Sequence, residues 1–348
     1  MKNGKRILRC GALFLGSAAF LLLLLRAARH AEPAVPAFSP AGEEATLWVD
    51  GSAVTGVFRG GRHYADAEAF LAALDADFWR GEKEDLRRSL GGARTLCAED
   101  FCEAQGIALY GEGGAELWCS SAAGDWEPPP GVRVPVLMYH GVGDDCWTSP
   151  TLFTSPDDLR AQLAWLLDNG FTPIFFEDLK HADAIEKPVL LTFDDSFRDN
   201  YTELFPILKE YGVKATLFVI QGTVGWDANL SAAQLREMLA SGLVRAECHT
   251  QYHYFLDELS DEQLIEELCW SKAALTKLTG RIPCAIAYPA GREDARAVAI
   301  CRREYRFGVK MGGPVYVTGE DPFFVHRIAV PRGISLGEFA ARLLAAAG

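Results

Sequence analysis

The stretch Val189 to Tyr201, VLLTFDDSFRDNY, constrains this chain more than any other. Val189, Leu190 and Leu191 form an unbroken apolar run of strand formers, the pattern of a strand covered on both faces. The run ends in Thr192, Phe193 and two adjacent carboxylates, Asp194 and Asp195, and from Asn200 onward Tyr201, Leu204, Phe205 and Leu208 fall at helical spacing. The acids therefore stand where a buried strand hands over to a helix, the end at which α/β sheets and barrels build their sites. Capping the helix would require only one of them. Two carboxylates side by side repel, and call for a cation or a shared proton.

A second stretch supplies a reason for the cation. Leu243 to Glu247 reads as a short strand running into Cys248-His249-Thr250-Gln251-Tyr252-His253. Histidines four apart share one face of a helical turn, and with Asp195 they complete a two-histidine, one-carboxylate metal site that leaves positions open for water.

TFDD at a strand end, followed about fifty residues later by H-[ST]-x-x-H, resembles the metal-dependent polysaccharide deacetylases of carbohydrate esterase family 4. The resemblance runs from about Val132 to the C-terminus, and VPVLMYHGV (Val134 to Val142) is similar to the subgroup acting on extracellular amino-sugar polymers. It implies a distorted, incomplete (β/α) barrel, with Asp194 as catalytic base and Asp195, His249 and His253 as ligands of a divalent metal, Zn²⁺ being the expected ion. Ala287-Tyr288-Pro289-Ala290-Gly291 matches the strand-end segment in which the family usually carries an arginine that orients the base. Here Ala287 occupies that place, and the resemblance puts an oxyanion-binding backbone N–H at or near Ala290. The family's late histidine motif has no clear counterpart, so His140 and His326 are both candidates for the general acid, His140 the better placed because it ends a strand.

The rest of the catalytic region alternates strands with helices, as a single barrel-like α/β domain over residues 131–348 requires. Ser155-Pro156 opens one helix with an N-cap and a proline at N1, and Ser260-Asp-Glu-Gln263 opens a long one with a capping box.

Ahead of it, Met1 to His30 carries six basic residues, no acid, and sixteen uncharged residues from Cys10 to Leu25. That is the pattern of an export signal or a signal anchor, with the basic end inside. Residues 31–44 are a Pro- and Ala-rich tether. Residues 45–126 read as a small accessory α+β domain, with strands around Asp50-Gly51, an amphipathic helix from Tyr64 to Trp79, and a second hairpin before Cys119. Trp126 and three prolines close it.

With 34 basic against 47 acidic residues the chain is no partner for nucleic acid, and it suits a neutral or cationic glycan. The nine cysteines fix no connectivity. Three functions fit these residues: a hydrolase removing N-acetyl groups from an exported amino-sugar polysaccharide, a glycan-binding protein of the same fold without turnover, and a non-haem iron oxygenase. A base beside a metal ligand favours the hydrolase.

Overall fold

In a computed structural model, the structure describes residues 42–50, 52–60, 62–73, 95–105, 107–110, 116–120 and 126–347. None of the described helices is long and apolar enough to cross a membrane, and the expected N-terminal signal or anchor lies outside the described residues.

The first sheet has six strands: β1 (Glu43–Val49), β2 (Ser52–Arg59), β3 (Arg62–Asp66), β4 (Thr95–Cys97), β5 (Ala108–Tyr110) and β6 (Glu116–Ser120), in the order β4-β3-β2-β1-β6-β5. Both hairpins expected from the sequence pair antiparallel, β1 with β2 and β5 with β6. Helix α1 (Ala67–Ala73) is shorter at its start than the periodicity predicts, because Tyr64 and Ala65 pair with β2 and Asp66 with β4 as part of β3; residues 74–79 of the expected helix lie outside the described residues.

The larger part is built on eight parallel strands: β7 (Val136–Tyr139), β8 (Thr172–Ile174), β9 (Pro188–Phe193), β10 (Ala215–Val219), β11 (Val244–Cys248), β12 (Ala285–Ala287), β13 (Phe307–Met311) and β14 (Val325–Ala329). Seven close into a ring, β7-β9-β10-β11-β12-β13-β14 and back to β7. β8 stays outside that ring. It pairs with the first half of β9, Pro188–Leu190, while β7 pairs with the second half, Leu190–Phe193, so the two share one edge of β9. This split seam is the distortion the barrel expectation anticipates. β8 ends at Ile174, and the chain goes into short helical turns over Glu177–Ala184.

β9 is buried along its whole length, as its apolar run requires. One face packs outward against helices, with Leu191 and Phe193 meeting Leu159, Leu163 and Leu204. The other face fills the barrel interior with Leu190, Phe218, Ala285, Phe307 and Val325, and that core runs on into Leu47, Val49 and Phe70 of the first sheet. At about 1.5–3 kcal/mol for each fully buried large aliphatic or aromatic side chain, the shared core ties the two parts together. Arg281, which precedes β12, donates to the Asp50 carbonyl at 2.7 Å, and Trp126 packs on Phe307 at the start of β13. The small sheet therefore plugs the end of the barrel where strands begin. The carboxylate pair sits at the opposite end.

Helix starts follow the sequence signals. Ser155 Oγ accepts from the Asp158 amide ahead of helix Pro156–Asp168, and reciprocal capping boxes link Ser231 with Gln234 and Ser260 with Gln263. The helix begun at Ser260 runs to Thr279, with one wider turn over Glu266–Trp270. All eight described cysteines are free thiols, and Cys248 is fully buried.

Candidate active site

Four loops at the strand ends bring the site together. Asp194 follows β9 directly, and its amide donates to the Tyr139 carbonyl at 2.9 Å, which sets Asp194 beside His140 at the end of β7. Asn200 Nδ2 donates to the His140 carbonyl and Asp199 Oδ1 accepts from the Val142 amide, both at 2.9 Å, so the two loops are locked together. His140 Nε2 lies 3.9 Å from Asp194 Oδ2.

Asp195 and the two histidines converge. His249 Nε2 is 3.5 Å and His253 Nε2 3.8 Å from the same oxygen, Asp195 Oδ1, which is buried and has no hydrogen-bond partner. The two rings meet edge to face, 4.7 Å between centroids. This closeness does not come from the helical turn the spacing suggests. Thr250 and His253 have φ of +63° and +64°, and the chain folds back in a tight loop fixed by the His253 amide donating to Thr250 Oγ1.

His249 Nδ1 lies 2.8 Å from the Ala287 carbonyl. A carbonyl can only accept, so the proton is on Nδ1 and the Nε2 lone pair faces Asp195. Burial drives the His249 pKa down to about 3 and lowers that of His253, leaving both imidazoles neutral, as metal ligands must be. Burial pushes the Asp195 carboxyl up to about 6, with the charge of Asp194 adding to it. A buried oxygen without a donor, facing two neutral nitrogen lone pairs, is a site for a cation, and the three residues fit a divalent ion.

Asp194 is treated differently. Burial, the largest single influence, would raise its pKa, but the charge and hydrogen bonds of Arg327 together with the neighbouring His249 and His140 outweigh it and hold the carboxyl well below the usual range. Arg327 Nη1 and Nη2 reach Asp194 Oδ1 and Oδ2 at 2.6 and 2.7 Å, a bidentate pair with both side chains almost wholly buried. Arg327 also donates to Thr192 Oγ1 at 3.2 Å and to the Lys310 carbonyl at 3.3 Å. The orienting charge that the sequence lacks at Ala287 thus arrives from β14, two strands further round the ring. Sequence reasoning passed over it, although an arginine in the apolar strand VHRIA, two residues from Val325 and so on the same face, signals a buried charge in need of a partner.

His326 occupies the opposite face of that strand. Its Nδ1 contacts the Gly312 carbonyl at 2.6 Å, and its ring covers Gly313, while alternation sends Arg327 inward to Asp194. His140 is the histidine the structure brings to the carboxylate pair. Tyr288 buries its ring among the outer core residues, its hydroxyl 3.2 Å from the Phe323 carbonyl, so only its backbone is available to the site. Pro289 and Ala290 form the turn that leaves β12 beside the His249 partner Ala287. Ala290 is exposed and held at φ +53°. Of the seven described non-glycine residues with positive φ, five (Asp195, Ser196, Thr250, His253 and Ala290) belong to these loops, a concentration of backbone strain at one place.

A sequence profile described as polysaccharide deacetylase matches residues 181–306. The protein YxkH of Bacillus subtilis (strain 168), named for a polysaccharide deacetylase, is 31% identical over 219 residues, covering 60% of this chain and 76% of that one. The poly-β-1,6-N-acetyl-D-glucosamine N-deacetylase of Staphylococcus aureus (strain MRSA252) is 25% identical over 194 residues, covering 51% of this chain and 67% of its own. Among solved structures, BC0361, a polysaccharide deacetylase from Bacillus cereus, superposes with a TM-score of 0.59 at 31% identity, covering 61% of this chain and 69% of the other. With the barrel, the carboxylate pair and the two histidines in their places, the chain belongs to the polysaccharide deacetylase family, carbohydrate esterase family 4.

Proposed function

We propose that the chain is a metal-dependent hydrolase that removes N-acetyl groups from an exported amino-sugar polysaccharide, releasing acetate. The observation that carries this reading is the division of labour between adjacent carboxylates. Asp194 is neutralised by Arg327 and kept ionised. Asp195, one residue on, has an unsatisfied oxygen facing two imidazoles. A module that only bound glycan would need neither.

Asp195, His249 and His253 would hold the divalent ion, Zn²⁺ in this proposal, and the ion would supply Lewis acidity toward a water and an acetamide carbonyl. Asp194 accepts the proton of the attacking water, its orientation toward that water fixed by two hydrogen bonds from Arg327. The backbone at Pro289–Gly291, with Ala290 exposed, offers an N–H toward the developing oxyanion. His140, at 3.9 Å from Asp194 Oδ2 and partly open to solvent, delivers a proton to the departing amine. The products are acetate and an amino sugar that is cationic at neutral pH.

Arg327 supplies a charge beside Asp194 where position 287 has none, which weakens one of the two grounds, the missing arginine and the uncertain proton donor, for the inactive glycan-binding alternative. The proposal includes export, with residues 1–30 as signal or anchor and the barrel outside the cell. Acetate release from poly-β-1,6-N-acetylglucosamine by the metal-loaded chain, abolished by a chelator and by Asp194→Asn, is the expected result. Acetate release undiminished in Asp194→Asn would remove the base assignment.

A further inference from the structure

We infer that Cys102 and Cys119 are a disulfide site, joined in the exported chain by a bond that staples a helix of the small domain to its sheet. The inference rests on the export reading above and on no part of the deacetylase chemistry.

Cysteine spacing leaves the pairing of Cys97, Cys102 and Cys119 open, and the sheet order narrows it. Cys97 lies on β4 and Cys119 on β6, with β3, β2 and β1 between them. At about 4.8 Å between neighbouring strands they stand roughly 19 Å apart, whereas a disulfide needs Cα atoms within about 7 Å. Cys97 is also engaged elsewhere, its Sγ 3.4 Å from Glu99 Oε2 and 3.7 Å from Arg62 Nη1.

Cys102 bridges that gap because it rides on a helix, α2 (Ala98–Gln105), which meets both β3 and β5, near opposite edges of the sheet. Ala98, Phe101 and Cys102 share its buried face, and Phe101 sets that face by standing edge-on to Phe70 of α1, with 5.4 Å between ring centroids. On β6, Leu117 and Cys119 alternate with Trp118 and turn into the same core. There the Cys102 and Cys119 thiols hydrogen-bond to each other, both at 0% exposure. Their backbones are held as well: the Cys102 carbonyl accepts from the Ile107 amide at 2.9 Å, and the Cys119 carbonyl from the Asp50 amide at 3.0 Å. Two thiols in contact on pinned backbones are arranged for a bond.

The partner in the reaction is a disulfide-bearing oxidant. One thiolate attacks the oxidant's S–S bond to give a mixed disulfide, and the second displaces the oxidant's remaining sulfur. The chain loses two electrons and two protons, and the oxidant leaves as two thiols. Burial pushes the Cys102 thiol up, which makes it a poor nucleophile in the folded sheet. The exchange therefore belongs to the folding of the small domain, before α2 closes over β6. An oxidising compartment outside the cell lets the bond persist.

The test takes the full-length chain as a bacterial host exports it, unfolds it in iodoacetamide without reductant, and maps its peptides by mass spectrometry. The Cys102 and Cys119 peptides should emerge linked, about 2 Da below the sum of the free pair, with Cys97 alkylated. Protein refolded under tris(2-carboxyethyl)phosphine should melt lower than the exported form by about 5 °C or more. Cys97→Ser should keep the link, and in Cys102→Ala the reductant should no longer shift the melting temperature. Alkylation of both Cys102 and Cys119 in the exported chain, a link from either to Cys97, or equal melting of the bridged and reduced forms would each overturn the inference. If the chain stays in the cytosol, the export reading has failed. Refolding the purified chain from urea in mixed reduced and oxidised glutathione then decides the site alone: the linked pair upholds it, and two alkylated thiols end it.

Discussion

Replacing Arg327 tests the site at its least expected point. Arg327→Met keeps much of the side-chain volume but withdraws both donors from Asp194, leaving a carboxylate that is 2% exposed with no counter-charge. Breaking a buried pair from one side costs about 3–5 kcal/mol, because the remaining charge keeps its desolvation penalty. For a barrel of this size each kcal/mol moves the melting temperature by about 2–4 °C, so a fall on the order of 6–20 °C is expected. Thr192 Oγ1 and the Lys310 carbonyl also lose a donor, which pushes the figure upward.

The double variant separates pairing from packing. Asp194→Asn combined with Arg327→Met should be more stable than Arg327→Met alone, since the stranded charge is gone, and the cycle should show a coupling of about 2 kcal/mol or more. Arg327→Lys keeps the charge but cannot span both oxygens, so it should recover stability better than it recovers turnover. Thermal and urea unfolding of the five proteins, wild type, Asp194→Asn, Arg327→Met, the double variant and Arg327→Lys, with acetate release measured alongside, gives both readouts. If Arg327→Met melts within about 2 °C of the wild type and keeps full kcat, the clamp neither holds the fold nor orients the base, and Asp194 owes its ionisation and its aim to some other group.

Three further outcomes are expected. His249→Ala and His253→Ala should each lose most bound zinc by elemental analysis of dialysed protein, since a three-ligand site has none to spare; full occupancy in both would refute the ligand set. Asp194→Asn should keep metal and glycan while turnover drops by about 10²-fold or more, whereas Asp195→Asn should lose metal affinity first and recover part of its activity at high metal concentration; identical behaviour of the two would mean that the carboxylates do not divide the work. Full-length protein should sediment with membranes while a chain begun near Ala45 stays soluble and equally active, and recovery of a shortened, freely secreted form would show a cleaved signal instead.

What the sequence makes legible follows from range. The strands β9, β10 and β13, the capped helices at Ser155, Ser231 and Ser260, and the meeting of Asp195 with the two histidines are all readable, because each is set by residues close in sequence or by motif chemistry. Arg327 is not readable as the partner of Asp194, since 133 residues separate them and only closure of the ring through β14 and β7 makes them neighbours. The same closure separates the two histidines proposed as acids. His140 ends a strand and reaches the pair. His326, adjacent to Arg327 in sequence, is carried away from it by the pleat.

The histidine loop shows where local inference meets its limit for a physical reason. A helical turn would present His249 and His253 side by side on an exposed face, but a ligand site needs both nitrogens to converge on one carboxylate oxygen inside the mouth. The chain reaches that geometry with left-handed backbone at Thr250 and His253, and meets it with the same conformation at Asp195 and Ser196 on the facing loop. Each such residue costs about 1–3 kcal/mol, so the loops would relax if they were free. They are not free: Asn229 bonds the Asp195 carbonyl, Glu267 takes the Gln251 and Tyr252 amides, and Ala287 holds the His249 ring. A sequence pattern that reads helix therefore yields strained loop because the interactions fixing it come from outside the loop, from Glu267 on the helix that follows and from Ala287 on β12, and the strain is concentrated where the proposed ligand atoms converge.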